Sequence, residues 1–558
     1  MNYRFFKHVA LTIALVAVVA NVSAKKRNND NKQVFDLGRN MEIMVNLMHA
    51  ISTQYVDVVD ADKMMEHGAN GITSMLDPYT MFISEKNRPN FESLVLGRYG
   101  GIGSVIRKQG EYVLIAEPYK GSPADKAGLR IGDKIVAIDG KDIRGLELDV
   151  VSKMLRGEPN SVVKVTIERL ISGEREDLKI RRQRIVIPSI PYFGYIADGV
   201  GYIRHDDFVE NSYDDMRAAI LKLQKEGELK SLVIDLRFNG GGLLGTSIDV
   251  LSLFLPKGTM VVETRGRNED THKFYTRHEP LLPNTPLTVL ISNNSASAAE
   301  IVAGAIQDLD RGVVMGRRSF GKGLVQGTIP LGYDSQIKLT TAKYYTPSGR
   351  CVQALNYSED GRAQQVPDSL IKEFKTVRGR KVYDGGGIMP DVVLERETIS
   401  SFTAALALLG VIDDFSNQYV KRNHAKPIGD VKTFSITDED YAEFTKMVME
   451  RDFPYKSESR IALEKLRKAL AEEHNTSLNE TLDAIEKGLK DDKENHLKIF
   501  RAEIVEQINK SVILRYAYAE GVIAYSLGND NDVQTAVKLL ANPKEYEHII
   551  TKQDTKRK

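Results

Sequence analysis

The 558-residue chain has a single cysteine, Cys351. That excludes an intramolecular disulfide framework and a cysteine-ligated zinc site. Cys351 falls in Pro347-Ser348-Gly349-Arg350-Cys351 with no histidine nearby in sequence, and a structural role is expected for it. The ten histidines show no metal-ligand spacing, and no metal or organic cofactor is expected. Tryptophan is absent, without functional consequence. Charge of one sign is missing as well: 77 Lys and Arg against 76 Asp and Glu leave +1, which argues against nucleic acid or an acidic surface as partner. What remains is an ordinary globular composition, 42% hydrophobic and 27% charged, and a length that suggests three or four domains.

Residues 1–24 read as an export signal. Arg4 and Lys7 form a basic start, Val9–Ala20 is apolar except for Thr12, and Val22-Ser23-Ala24 offers small residues for cleavage. The apolar run is short of the roughly 17–25 residues that span a membrane. An exported, periplasmic or envelope-associated protein is expected, with an uncleaved anchor as the alternative. Residues 25–96 are expected to be helical. Met41, Met44, Val45, Met48 and Ile51 recur there at helical spacing, as core or as a dimer contact.

Two glycine-bearing segments follow in residues 97–184: Tyr99-Gly100-Gly101-Ile102-Gly103, and Gly121-Ser122-Pro123-Ala124 leading to Gly132-Asp133-Lys134-Ile135. The second resembles the core of a PDZ domain. By that resemblance the domain binds an extended peptide tail as an added strand, and the amides of Gly101, Ile102 and Gly103 capture its carboxylate. A dinucleotide fingerprint is excluded, because the third glycine and its helix are missing.

Residues 185–397 alternate strand and helix patterns, which argues for α/β layers. Leu229–Leu236 reads as a buried strand ending in Arg237-Phe238-Asn239-Gly240-Gly241-Gly242. Leu287–Ile291 reads as another, and Ala298–Leu309 as an amphipathic helix. Ser297 stands at the junction with Glu300 three residues on. That is either an N-cap with a capping box, or a nucleophile whose oxyanion would meet the first-turn amides. Lys322 lies 25 residues further, between Gly321 and Gly323. With Gly316 this approaches a P-loop, but Gly323 replaces the Mg²⁺-binding hydroxyl residue and a strand pattern follows, so nucleotide binding is rejected. A lysine among glycines and apolar residues can be desolvated until it is a neutral base. His205 is the candidate for a rival Ser/His mechanism, with strand-end polarity as its expected role. Asp308 reads equally as a helix-terminal carboxylate paired with Arg311.

Together S-A-S-A-A-E, F-G-K-G-L-V-Q and Y-T-P-S-G-R resemble the signature of the C-terminal processing peptidases, serine endopeptidases with a Ser/Lys dyad, over roughly Met75–Asp391. The resemblance implies an α/β multidomain protein: a PDZ-like domain plus a crotonase- or Clp-protease-like α/β core, with helical N-terminal and C-terminal regions. It maps the nucleophile onto Ser297 rather than Ser295, the base onto Lys322 and a lysine-orienting glutamine onto Gln326. Gly241 and Ala298 would supply the oxyanion amides, and Asp308 matches an acidic position that recurs in the family. Ala299 and Cys351 stand where serine is common. Substrates would be proteins or peptides with accessible C-terminal tails. The alternative is a non-catalytic PDZ adaptor on an inactive protease fold. Residues 398–558, outside the resemblance, read as a charged helical accessory domain open to dimerisation, gating or adaptor docking.

Overall fold

The apolar runs between Val200 and Val393 become strands of one sheet because both of its faces are covered. In the computed structural model, residues 30–88, 91–92, 97–267, 270–357, 363–451, 455–488 and 493–551 are described. The expected export signal lies outside them. The chain divides into two compact units, one of Met1–Ser84, Thr328–Leu339 and Ser358–Arg362, the other of the remainder.

The first unit holds helix α1 (Asp30–Gln54), helix α2 (Ala61–Thr73) and strand β1 (Met81–Ile83). Asp60 caps α2 by accepting from the amides of Asp62 and Lys63. Strand β1 pairs antiparallel with residues 336–338. The methionine stripe of α1 is exposed at Met41, Met44 and Val45.

The second unit opens with the PDZ-like fold. Its elements are β2 (Arg98–Gly101), β3 (Ser104–Gln109), β4 (Tyr112–Pro118), α3 (Pro123–Lys126), β5 (Lys134–Ile138), β6 (Lys141–Asp142), α4 (Leu148–Leu155), β7 (Val162–Glu168), β8 (Arg175–Arg181) and β9 (Gln183–Val186). The sheet runs β3-β4-β5-β7-β8, so β3 is an edge strand. Alternation places Val163, Val165 and Ile167 of β7 inside with Val113, Ile115, Ile135 and Val151.

The catalytic-type core follows: β10 (Tyr192–Ala197), β11 (Val200–Arg204), α5 (Ser212–Glu226), β12 (Ser231–Asp235), α6 (Leu244–Ser252), β13 (Met260–Gly266), β14 (Thr271–Tyr275), β15 (Leu287–Ile291), α7 (Ala298–Asp308), β16 (Val313–Gly316), β17 (Leu324–Gly332), β18 (Ser335–Tyr345) and β19 (Val392–Val393). The central sheet has the order β10-β11-β12-β15-β16-β19. All neighbours are parallel except β10 with β11. Leu232, Ile234, Val289 and Val314 face helices α5, α6 and α7. The residues between them, Val233, Leu290, Val313 and Met315, face the other way. Two-sided burial of this kind is why these strands read as continuous apolar runs.

The C-terminal region is helical, as expected: α8 (Ser401–Leu408), α9 (Val411–Asn423), α10 (Asp438–Glu450), α11 (Glu458–Glu472), α12 (Asn479–Gly488), α13 (Lys493–Ile499), α14 (Arg501–Ser526), α15 (Asn531–Leu540) and α16 (Pro543–Thr551). Phe402, Phe415, Phe444, Ile504 and Val512 form its own core. Helices α15 and α16 do something else. Val533, Ala536, Leu539, Tyr546 and Ile550 cover the second face of the central sheet. Helices α15 and α16, which the sequence assigned to a helical accessory domain, are therefore a layer of the α/β core. No helix among the described residues is long and apolar enough to cross a membrane.

Candidate active site

Ser297 separates β15 from α7 with φ 54° and ψ −116°. An ordinary N-cap residue has extended backbone, so this conformation is not the one a plain cap requires. Positive φ in a non-glycine residue costs about 1–3 kcal/mol and persists only where surrounding contacts hold it. Those contacts come from Glu300, which is fully buried. One carboxylate oxygen of Glu300, Oε2, accepts from the amide of Ser297 at 2.9 Å and from the amide of Lys322 at 2.8 Å. The other, Oε1, accepts from the Ser319 hydroxyl at 2.5 Å and the Gly321 amide at 2.8 Å. Burial pushes this carboxyl up from its ordinary range, and the four donors oppose that.

A second tie lies on the carbonyl side. The Tyr344 hydroxyl, on β18, reaches the Lys322 carbonyl at 2.6 Å and the Ser297 carbonyl at 3.1 Å. The Ser297 loop and the Lys322 loop, 25 residues apart, thus share one acid and one phenol. Gly321 and Gly323 permit this. A Cβ at Gly323 would meet the Gln353 amide nitrogen at 2.7 Å, and one at Gly321, where φ is +85°, would meet the Ala354 Cβ at 2.4 Å. Lys322 is followed by strand β17 rather than by a helix, which agrees with the rejection of a P-loop. On β17, Gln326 donates to the Thr340 hydroxyl at 3.2 Å. Ser295 is fully buried and its hydroxyl donates to the Leu236 carbonyl at 2.7 Å, whereas Ser297 is partly exposed.

The glycine loop after β12 lies directly on the serine. A Cβ at Gly241, φ +109°, would stand 2.7 Å from the Ser297 Cβ, 2.8 Å from the Ala296 carbonyl and 3.1 Å from the Ala298 amide nitrogen. Glycine is needed there because the two backbones touch.

Comparison with known proteins fits this geometry. Residues 199–361 match the family described as peptidase family S41, residues 114–169 a PDZ domain, and residues 402–540 the C-terminal helical domain of a probable PDZ-protease. A carboxy-terminal-processing protease of Bartonella bacilliformis is 34% identical over 385 residues, covering 68% of this chain and 86% of its own length. The chain belongs to the carboxy-terminal-processing proteases of family S41. It is a serine protease. A probable CtpA-like serine protease of Staphylococcus aureus is 28% identical over 81% of this chain and 90% of its own. A solved photosystem II D1 C-terminal processing protease is 27% identical, covers 64% of this chain and 93% of its own, and has a TM-score of 0.35.

Two expectations for this protease, the partner of Asp308 and the role of His205, are corrected by its structure. The Gly241 amide donates to the Asn239 side-chain oxygen at 2.8 Å, within its own loop. The Ala298 amide opens α7 and has no intrahelical partner by position. Asp308 pairs with Arg350 rather than Arg311. Their closest approach is 2.7 Å, both are buried, and Thr346 and the Ser348 amide also donate to the acid. Arg311 donates instead to the carbonyls of Phe254, Leu282 and Thr285.

His205 is not strand-end polarity either. It is fully buried, edge-on to Phe208 with ring centroids 4.4 Å apart, and neither ring nitrogen has a hydrogen-bond partner among the described residues. Burial holds its pKa down at about 3, against an ordinary 6.5. The unfolded chain therefore takes up this proton first. The stability that His205 contributes is complete above pH 6.5 and is lost as pH falls toward 3. A His205→Leu protease should show a shallower loss of Tm below pH 6.5 than the wild type. Identical melting-temperature profiles would refute the assignment.

In the PDZ domain, the Ile102 carbonyl accepts from Ala124, and the Gly103 carbonyl from Tyr119 and the Ser122 hydroxyl. These bonds fix the loop beside edge strand β3. Tyr99, not singled out from sequence, lies where a Cβ on Gly101 would collide with its ring at 2.7 Å. The Arg156 guanidinium sits over the same ring at 4.7 Å. Tyr99, Ile102, Ser104, Ile106, Leu155 and Arg156 line one cleft. Among the described residues, no group of His, Cys, Asp and Glu could hold a metal ion. Glu300, Tyr344 and Asn239 are the site residues that sequence reasoning missed or undervalued. Only Glu300 carried a signal, its place in the capping-box pattern.

Proposed function

We propose that this protease is an exported endopeptidase that cuts proteins near their C-termini through a Ser297/Lys322 dyad. Ser297 attacks the scissile carbonyl while Lys322, as the neutral amine, takes its proton and later returns it to the leaving amine. Water then resolves the acyl-enzyme. Gln326, anchored to Thr340, orients the lysine. The Ala298 amide binds the oxyanion, and the Gly241 amide joins it when substrate displaces the Asn239 side chain. The PDZ domain takes the tail along β3, with its carboxylate on the amides of Gly101, Ile102 and Gly103. The observation that carries this reading is the double tie of Ser297 to Lys322 through Glu300 and Tyr344. A purely structural serine cap has no use for it.

The test uses an unfolded protein with an apolar C-terminus, offered with a free and with an amidated tail. Amidation should raise KM chiefly and leave kcat, because only capture is impaired. Ser297→Ala should bind the free tail with wild-type affinity and cut neither substrate. Cleavage indifferent to the terminus would remove tail capture from the reading. Turnover by Ser297→Ala would remove the dyad. Export is tested by the N-terminal sequence of the mature protein in its host, which should begin after Ala24.

A further inference from the structure

Helix α15 begins at the one place where both catalytic loops are rooted. Arg237 is the stem of the glycine loop, four residues before Gly241, and Arg317 is the stem of the loop that carries Lys322. They emerge from the C-terminal ends of β12 and β16, the two strands flanking β15, which leads to Ser297. Asp530 receives Arg237 in two-pronged fashion, Nη1 to Oδ1 at 3.0 Å and Nη2 to Oδ2 at 2.6 Å. Asp532 accepts from Arg237 Nη1 at 2.9 Å and from Arg317 Nη2 at 3.0 Å, with Arg317 Nη1 on its other oxygen. Asp235 closes the array, accepting Arg237 Nη2 at 2.7 Å.

Three carboxylates thus face two guanidiniums, and Asp235 and Asp532 are buried. The surplus negative charge sits at the N-terminus of α15, where the helix dipole favours it. Asp530 is also the cap, accepting from the Val533 amide at 3.1 Å. Paired guanidinium and carboxylate planes define orientation as well as distance. A sheet layer needs only the apolar face of α15. Joining the stems of two separate loops to one helix end is a different task.

Resting on the dyad reading above, we infer that Asp530 and Asp532 are positioning residues for catalysis. From the C-terminal helical region they hold the glycine loop and the lysine loop in register on either side of Ser297. Neither touches substrate.

The test uses the full-length protease carrying Asp530→Asn with Asp532→Asn. Asparagine caps a helix as well as aspartate does, so α15 keeps its start and loses only the charged clamp. A fluorophosphonate, which phosphonylates reactive serines with loss of fluoride, counts them and gives the labelling rate per titrated site. The double variant should keep tail affinity and KM, and lose about 10²-fold in kcat and in per-site labelling rate, the scale of a 1 Å misplacement. Leu539→Ala, at the far end of the same helix, should lower Tm and leave the per-site rate unchanged. A wild-type per-site rate in the double variant overturns the inference, whatever its Tm. Should the double variant fail to fold, the single variants each leave one of these two aspartates on Arg237 beside Asp235, and unchanged per-site rates in both overturn it. Labelling that survives Ser297→Ala would sink the dyad instead. Loss of label in Ser297→Ala beside unchanged aspartate variants would sink the clamp alone.

Discussion

Replacing Lys322 by arginine should abolish cleavage as completely as replacing it by alanine, a loss of about 10³-fold or more at the upper range for a general base. Arginine keeps the charge and offers five donors, but it cannot surrender a proton at any accessible pH. If Lys322 served only to attract an anionic group, arginine would substitute for it in part. The wild-type rate should rise with pH as the neutral fraction of the lysine grows. His205→Leu should keep that limb, because a histidine held at about 3 is neutral throughout the range. The measurement is kcat/KM against pH for all four proteins on one unfolded substrate. An active Lys322→Arg protease would show that the lysine acts through charge alone. A limb that vanishes with His205 would transfer the base to the histidine.

Glu300→Gln should be at least as damaging as Glu300→Ala, although it is the nearer isostere. Both carboxylate oxygens accept from two donors each: Ser319 and Gly321 on one, Ser297 and Lys322 on the other. An amide nitrogen in place of Oε2 would face two backbone N–H donors, and in place of Oε1 the Gly321 N–H, the Ser319 hydroxyl being able to turn and accept. Each stranded buried group costs about 1–3 kcal/mol. Alanine leaves space that a water can enter as an acceptor. We expect kcat to fall about 10²–10³-fold in Glu300→Gln, comparable with loss of an oxyanion donor, with tail affinity kept and Tm lowered. Ser319→Ala should be milder, since Gly321 still holds that oxygen. Near-wild-type turnover in Glu300→Gln would show that the shared acid does not set the dyad's geometry.

Much of the core was legible. The strand Leu287–Ile291 is found with those bounds, and Ala298–Asp308 is the helix expected one residue longer. A parallel strand buried on both faces writes itself as an unbroken apolar run, and a helix with one buried face as a 3.6-residue period. The P-loop was rejected correctly because a strand after Lys322 is a local pattern. His205 was misjudged because sequence does not tell which side of a strand end another segment covers, and here Phe208 closes over it. Asp308 was given its nearest basic neighbour, Arg311, when its partner is Arg350, 42 residues on.

The sequence by itself determined the chemistry on offer: a serine between a buried strand and a helix, a lysine among glycines, a glycine run after another strand, and no metal-binding pattern. These are matters of residue type and short-range spacing. Only the tertiary structure decided how the parts are held. Glu300 joins residues 297 and 322, Tyr344 bridges the same two carbonyls, and Asp530 and Asp532 reach Arg237 and Arg317 from more than 200 residues away. The backbone amides and carbonyls used in the first two ties belong to every residue alike, so nothing in a sequence marks them. A surface carboxylate and a buried clamp are likewise the same letter. The difference is made by the sheet, which brings the ends of β12, β15 and β16 to one edge and lays α15 across them.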